Sequence, residues 1–283
     1  MSTAERPDIR IVEVGPRDGL QNEARPVPTE VKIAFVDALS AAGFDEIEVS
    51  SFVSPKWIPQ LADAEAVFAG IRRAPGVTYM ALVPNLEGLE RAKAARVDKV
   101  AVFTAASETF SRKNTNASIA EALERFRPVV ARAGLPVRGY ISTAFHCPFE
   151  GPIAPHQVLP VARALLELGC SELSIGDTIG RATPEEVTRL LDLLLPAVLP
   201  SRNLAVHFHD TYGQAVSNAI AAHALGITVF DASAGGIGGC PYAPGAPGNV
   251  ATDALVSAFP GLTGIDPQRL RAASAIVAPY LSP

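Results

Sequence analysis

Eight short runs rich in β-branched and apolar residues, at 9–14, 46–50, 78–83, 99–103, 137–143, 172–177, 204–208 and 228–232, recur along the 283 residues. An amphipathic stretch follows each of them, at 29–42, 59–72, 86–95, 118–133, 155–168, 184–195, 213–225 and 249–258. Alternation of this kind builds a parallel sheet, because each helix returns the chain to the end of the sheet where the next strand starts. Eight such units in about 250 residues match the size of a closed (β/α)8 TIM barrel of α/β class. A doubly wound open sheet leaves two edge strands and normally uses fewer units. Thr29, Ser118 and Thr183 stand where helix N-caps are expected, and Pro184 follows the last of them at the first helical position. No linker, charge run or low-complexity tract divides the chain, so 1–283 reads as one catalytic domain.

In a barrel, the ends of the strands decide what the chain does. The run HFHD (207–210) puts His207 and His209 at i and i+2 of a strand end, facing the same way and able to share one cation. The bland alternative is one histidine capping a helix and the other packed in the core. After the first strand comes GPRDGLQNE, which offers Arg17 and Asp18 side by side: a carboxylate to complete a cation's shell and a permanent positive charge for developing anions. A plain Arg-Asp surface turn is the alternative there. Further polar groups fall at strand ends: Glu48 and Ser51, Thr143 and His146, Asp177 and Thr178. Gathering so many at one mouth is costly without a ligand to satisfy them.

The last strand leads into GGIGGCPYAPGAPGN (235–249), with six glycines and three prolines around Cys240. It lacks the Gly-Lys-Ser/Thr ending of a phosphate loop and follows the last strand rather than the first. Its early glycines are expected to act as a hinge and its prolines to stiffen a lid that carries Cys240. A thiol there is a candidate acid, base or nucleophile, whereas Cys147 reads as structural and Cys170 as packing in a buried helix. Asn249 either caps the next helix or presents its amide oxygen to the cation.

The charge balance of −5 disfavours nucleic acid as a partner but leaves an anionic small substrate open. No apolar run reaches the roughly 18 residues of a membrane helix, and no leader pattern is evident, so no membrane partner is expected. Three widely spaced cysteines favour reduced thiols in a cytoplasmic setting over a disulfide framework.

Motifs along nearly the whole chain, roughly 9–275, then narrow the reading: VEVGPRDGLQNE (12–23), VSSFVSPKWIPQLAD (49–63), FSRKN (110–114), GDTIG (176–180), HFHDTYGQ (207–214) and GGIGGCPYAPGAPGNVAT (235–252). By these the chain resembles the 3-hydroxy-3-methylglutaryl-CoA lyases of the DRE-TIM metallolyase group. The Arg-Asp turn and the HxH pair belong to the wider group, and the cysteine loop to the lyases. The resemblance implies that Asp18, His207, His209 and Asn249 bind a divalent cation, Mg²⁺ or Mn²⁺. It implies that Arg17, Glu48, Asp177 and Cys240 act in catalysis, and that Asn114, Thr178 and Arg17 line the substrate pocket.

The implied reaction is retro-Claisen cleavage of a tertiary 3-hydroxyacyl-CoA to acetyl-CoA and acetoacetate. Asp177 or His207 would be the base and Cys240 the acid, with Arg112 and Lys113 either on CoA phosphates or simply solvated. The setting would be leucine breakdown and ketone-body formation, by a homo-oligomer, dimer or higher. Asp253-Ala254, Pro247 and Arg181-Ala182 depart from the family's usual residues, which leaves the preferred acyl group open. A carboligase or aldolase of the same metal group would share Asp18 and the histidines, and a non-catalytic binding barrel is a further alternative.

Overall fold

A computed structural model describes residues 8–198, 200–238 and 248–281. Eight parallel strands, β1 (Arg10–Glu13), β2 (Glu46–Ser51), β3 (Thr78–Leu82), β4 (Lys99–Ala105), β5 (Val137–Ser142), β6 (Glu172–Asp177), β7 (Leu204–Phe208) and β8 (Val229–Ala232), pair in sequence order, and β8 closes on β1. The (β/α)8 barrel expected from the alternation is therefore the observed fold. Around it lie α1 (Thr29–Ala42), α2 (Ala64–Gly70), α3 (Leu86–Ala94), α4 (Glu108–Thr115), α5 (Ile119–Ala133), α6 (Pro155–Leu168), α7 (Pro184–Leu194), α8 (Ala215–Ala224), α9 (Thr252–Ala258) and α10 (Pro267–Val277).

Local chemistry accounts for where the helices begin. Ser118 and Thr183 each form a reciprocal capping box, with Glu121 and Glu186. Thr29 does not cap: Pro28 holds that position, and the Thr29 hydroxyl instead donates to Asp63 Oδ2 at 2.7 Å. The stretch expected as one helix over 59–72 breaks into a 3₁₀ turn, Pro59–Leu61, and α2, with the Asp63 carboxylate between them held by Lys32 Nζ at 2.7 Å. Helices α4 and α10 were not expected, although Ser107 and Asp266 cap them by accepting backbone N–H groups. Cys170 lies beyond the C-cap of α6, not within a helix, and burial pushes its thiol up to about 12.

Alternation along each strand sorts side chains into two cores. The larger one fills the layer between sheet and helices, while Val12, Val14, Met80, Leu82, Ala101, Tyr140, Ala205 and Val229 occupy the barrel's interior. Towards the amino ends of the strands the interior is ionic, which the sequence reading did not anticipate. Lys99 Nζ reaches Glu46 at 2.7 Å and Glu172 at 2.8 Å, Arg10 pairs with both carboxylates, and Arg138 stands 3.3 Å from Glu172. Each charge there has an opposite partner, as burial requires.

Glu13 points outward from β1 and is fully buried, accepting from Gly15 N (2.9 Å), Ala234 N (2.9 Å) and Thr252 Oγ1 (2.8 Å). It thereby ties the first strand-end loop to the last. Burial pushes its carboxyl up from 4.5 to about 7, against the pull of Ala234 and Gly15. Between those pH values the folded protein keeps a proton that the unfolded chain releases, so stability falls as pH rises through this window. Glu13→Gln removes the titration and keeps an oxygen for the two amides. It should flatten the denaturant-derived stability between pH 5 and 8 and raise it at pH 8 by about 1–3 kcal/mol. A variant that loses stability at pH 8 would contradict this account.

Candidate active site

The chain leaves β1 in a single π-helical turn, Gly15–Gly19, in which Val14 O accepts the amides of Arg17 (3.2 Å), Asp18 (2.7 Å) and Gly19 (3.3 Å). This wide turn sets Arg17 and Asp18 over the barrel mouth. On the far side of β8, His207 shares the inward parity of Ala205, and His209 follows one step beyond the strand. One ligand atom each from Asp18, His207 and His209 lie within 4.8 Å of one another. The expected metal-binding residues are thus brought together from opposite parts of the chain.

Asn249 joins them and does not cap a helix, since α9 starts at Thr252 and Asn249 instead bridges His209 across an isolated β-pair. Its Nδ2 donates to Asp18 Oδ2 at 2.9 Å and to Ile237 O at 3.2 Å. Asn249 Oδ1 and His209 Nδ1 are buried without a hydrogen-bond partner among the described residues. Lone pairs stranded in this way are costly, and a cation is what mixed imidazole, amide and carboxylate donors satisfy together. The residues present therefore fit a divalent metal. The local field agrees. Against the effect of burial, Arg17, His207 and His209 hold the Asp18 carboxyl down at about 2, and burial with the adjacent His207 lowers His209 to about 3, so it stays neutral.

Beside the cluster, Arg17 is only 6% exposed and is gripped by two carboxylates. Its Nε and one terminal nitrogen both meet Glu48 Oε2 at 2.7 Å, and the other terminal nitrogen meets Asp18 Oδ1. Tyr140 also donates to Glu48 Oε2 at 3.2 Å, and Arg17 lies over its ring, 5.6 Å from the centroid. Glu48 Oε1 is buried with no partner among the described residues, and burial raises this carboxyl even though Arg17 opposes the shift.

Other strand-end groups serve the loops instead. Asp177 has the outward parity of Leu173 and Ile175, and its two oxygens accept the amides of Arg181 (3.1 Å) and Ala182 (2.9 Å). Of Asp177 and His207, the two bases the resemblance implies, Asp177 is thus held by the loop after β6, and burial pushes its carboxyl up to about 6. Thr178 Oγ1 accepts from Thr143 N at 2.7 Å, Ser51 Oγ from Val53 N at 3.2 Å, and His146 pairs with Glu186 at 3.1 Å. Asn114 is exposed in the last turn of α4, at the same end of the barrel but outside the cluster. Arg112 and Lys113 are exposed beside it, Arg112 within 3.8 Å of Glu108 and Lys113 4.1 Å over the Phe149 ring. The buried thiol of Cys147 meets Ser107 Oγ at 3.0 Å.

Cys240 and the prolines of the expected lid lie outside the described residues. Its described flanks, Gly238 and Asn249, are joined by a backbone hydrogen bond. Asn249 N donates to Gly238 O at 3.3 Å, and Gly238 has φ +103°. A Cβ on Gly238 would stand 2.8 Å from Asn249 Nδ2 and 3.0 Å from Gly19 Cα, so only glycine fits.

Sequence reasoning missed Tyr140, Arg138, Ser174 and Asp231, all of which face the interior. A signal was there to be read: charged and hydroxyl-bearing residues at every second position of otherwise apolar strands. In β8, Asp231 is paired in register with His207; it accepts from Ser174 Oγ at 2.8 Å and a terminal nitrogen of Arg138, and faces His207 Nδ1 at 3.3 Å.

Comparison with known proteins matches residues 8–277 to the model of the HMGL-like family. A Pseudomonas aeruginosa protein named 3-hydroxy-3-isohexenylglutaryl-CoA/hydroxy-methylglutaryl-CoA lyase is 55% identical over 264 residues, covering 91% of this chain and 88% of the relative. The cytoplasmic 3-hydroxy-3-methylglutaryl-CoA lyase of Danio rerio is 54% identical over 264 residues, 91% of this chain and 78% of the relative. The crystal structure of the Brucella melitensis HMG-CoA lyase superposes with a TM-score of 0.94 at 51% identity, covering 98% of this chain and 99% of that one. No described helix is long and apolar enough to cross a membrane.

Proposed function

Because this chain belongs to the HMGL-like family, we propose that it is a divalent-metal-dependent carbon-carbon lyase that cleaves 3-hydroxy-3-methylglutaryl-CoA, or a close 3-hydroxyacyl-CoA, to acetyl-CoA and acetoacetate. The observation that carries the reading is the convergence of Asp18, His207 and His209 beside the Arg17–Glu48 pair. The relatives reported above are lyases, which leaves the carboligase and aldolase alternatives without support.

Asp18, His207, His209 and Asn249 would hold the cation, and their two nitrogens and two oxygens suit Mg²⁺ or Mn²⁺ better than a closed zinc site. When bound, such an ion supplies Lewis acidity that makes a tertiary hydroxyl easier to deprotonate. Glu48 is the carboxylate with a spare oxygen to take that proton, and its burial makes it the stronger base. Asp177, bound at both oxygens by backbone amides, shapes the loop after β6. His207 turns one nitrogen to Asp231 and is a ligand rather than the base.

As the C2–C3 bond breaks, its electron pair passes to the thioester as an enolate. Arg17 offers that oxygen a charge already fixed in place by Glu48 and Asp18. Cys240 delivers the proton to C2, completing acetyl-CoA. Asn114 and Thr178 would line the pocket for the rest of the substrate.

The test incubates chelator-stripped protein with 3-hydroxy-3-methylglutaryl-CoA and Mg²⁺ or Mn²⁺. Acetoacetate and acetyl-CoA should appear in equal amounts only when the cation is restored. Absence of both products with either cation would refute the reading. Adding the 3-isohexenyl ester to the assay resolves the acyl preference, since the Pseudomonas relative's name spans both esters. Light scattering on the same preparation tests the expected homo-oligomer.

A further inference from the structure

Behind the metal cluster, the barrel's interior holds a charged pair that the reaction itself does not use. Asp231 is 1% exposed and Arg138 fully buried, and they pair although 93 residues separate them in sequence. Arg138 in turn stands 3.3 Å from Glu172, the acceptor at the centre of the ionic layer below. One oxygen of Asp231 is taken by Arg138, while the other faces Ser174 Oγ at 2.8 Å and His207 Nδ1 at 3.3 Å.

A carboxylate held by a buried guanidinium has no proton to give, so the imidazole nitrogen facing it must carry the hydrogen. We propose that Asp231, anchored by Arg138 and Ser174, is a positioning residue that fixes His207 with its proton on Nδ1 and so presents the Nε2 lone pair to the cation. The arrangement follows the general rule that a ligating histidine donates its other N–H to a fixed acceptor, which sets both the tautomer and the ring angle. Arg138 supplies what the rule needs in a buried barrel interior. It holds the acceptor ionised and stationary, and is itself anchored to the ionic layer beneath.

The inference rests on the metal reading of Asp18, His207 and His209, and two measurements separate the two. In Asp231→Asn, the amide oxygen turns to Arg138 and leaves an NH₂ facing His207. The ring proton then moves to Nε2, where it blocks ligation. Titration of the chelator-stripped proteins with Mn²⁺, followed by the EPR signal of the free ion, should show binding about 10–100-fold weaker in the variant. Independently, the long-range ¹H–¹⁵N spectrum of the chelator-stripped wild-type protein, in which no metal forces the proton off Nε2, should place the proton of the neutral His207 ring on Nδ1. This spectrum needs no substitution and decides the question even if Asp231→Asn fails to fold. A His207 proton on Nε2, or unchanged Mn²⁺ affinity in a folded Asp231→Asn, overturns the proposal while leaving the metal site intact. A wild-type protein that takes up no Mn²⁺ overturns both.

Discussion

Asp18→Ala is expected to abolish useful cation binding, with affinity for Mn²⁺ falling by more than about a hundredfold, since even outer-shell changes cost about 10–100-fold. Asp18 is the sole carboxylate in the cluster of Asp18, His207 and His209. Without it, the remaining donors are neutral and stand beside the Arg17 guanidinium, whose charge repels a cation. The loss is readable without any assay of turnover. A cation at about 100 times its Kd stabilises the folded wild-type protein by roughly 2.7 kcal/mol, and Asp18→Ala should show no such gain. The metal-free variant should still fold, because Arg17 keeps Glu48 as its partner. An equal thermal shift on adding Mn²⁺ to both proteins would remove Asp18 from the metal centre.

Arg17→Gln should do the reverse. Turnover should drop by about 10²–10³-fold, the loss typical of deleting one preorganised donor to a developing oxyanion, while Mn²⁺ affinity changes by less than about threefold. Removing a positive charge next to Asp18 does not impair a cation's shell. Glu48, already raised by burial, can take a proton when its counter-charge goes, which keeps the protein folded but also weakens the base and adds to the loss of turnover. The fall should appear in kcat more than in KM, because the charge that Arg17 meets exists only as the bond breaks. Equal and mild losses of turnover and metal affinity in the Asp18 and Arg17 variants would contradict the division of roles between them.

Much of this was legible from local pattern. The eightfold alternation is a property of successive residues, and the closed barrel confirmed it with strand limits that shift by a residue or two. His207 and His209 at i and i+2, and Arg17 beside Asp18 at the end of β1, declared themselves through parity and position. The helix breaks were less legible. Asp63 ends a helical pattern through a bond to Lys32, and Asn249 leaves its helix to pair with His209, contacts that lie 31 and 40 residues away in sequence.

By itself, the sequence determined the strand count, their parallel order and the set of donors available at their ends, because period and spacing are local quantities. Only the tertiary structure decided which face of each strand is the barrel's interior. Alternation says that Glu172 and Ser174 share a face and Asp177 takes the other, but not which of the two the closed sheet encloses. Closure turned Asp177 away to cap a loop and brought Asp231, across the β7–β8 register, against His207. It also laid Asn249 on Asp18 across 231 residues, since the first and last strands of a closed sheet are neighbours whatever their distance along the chain.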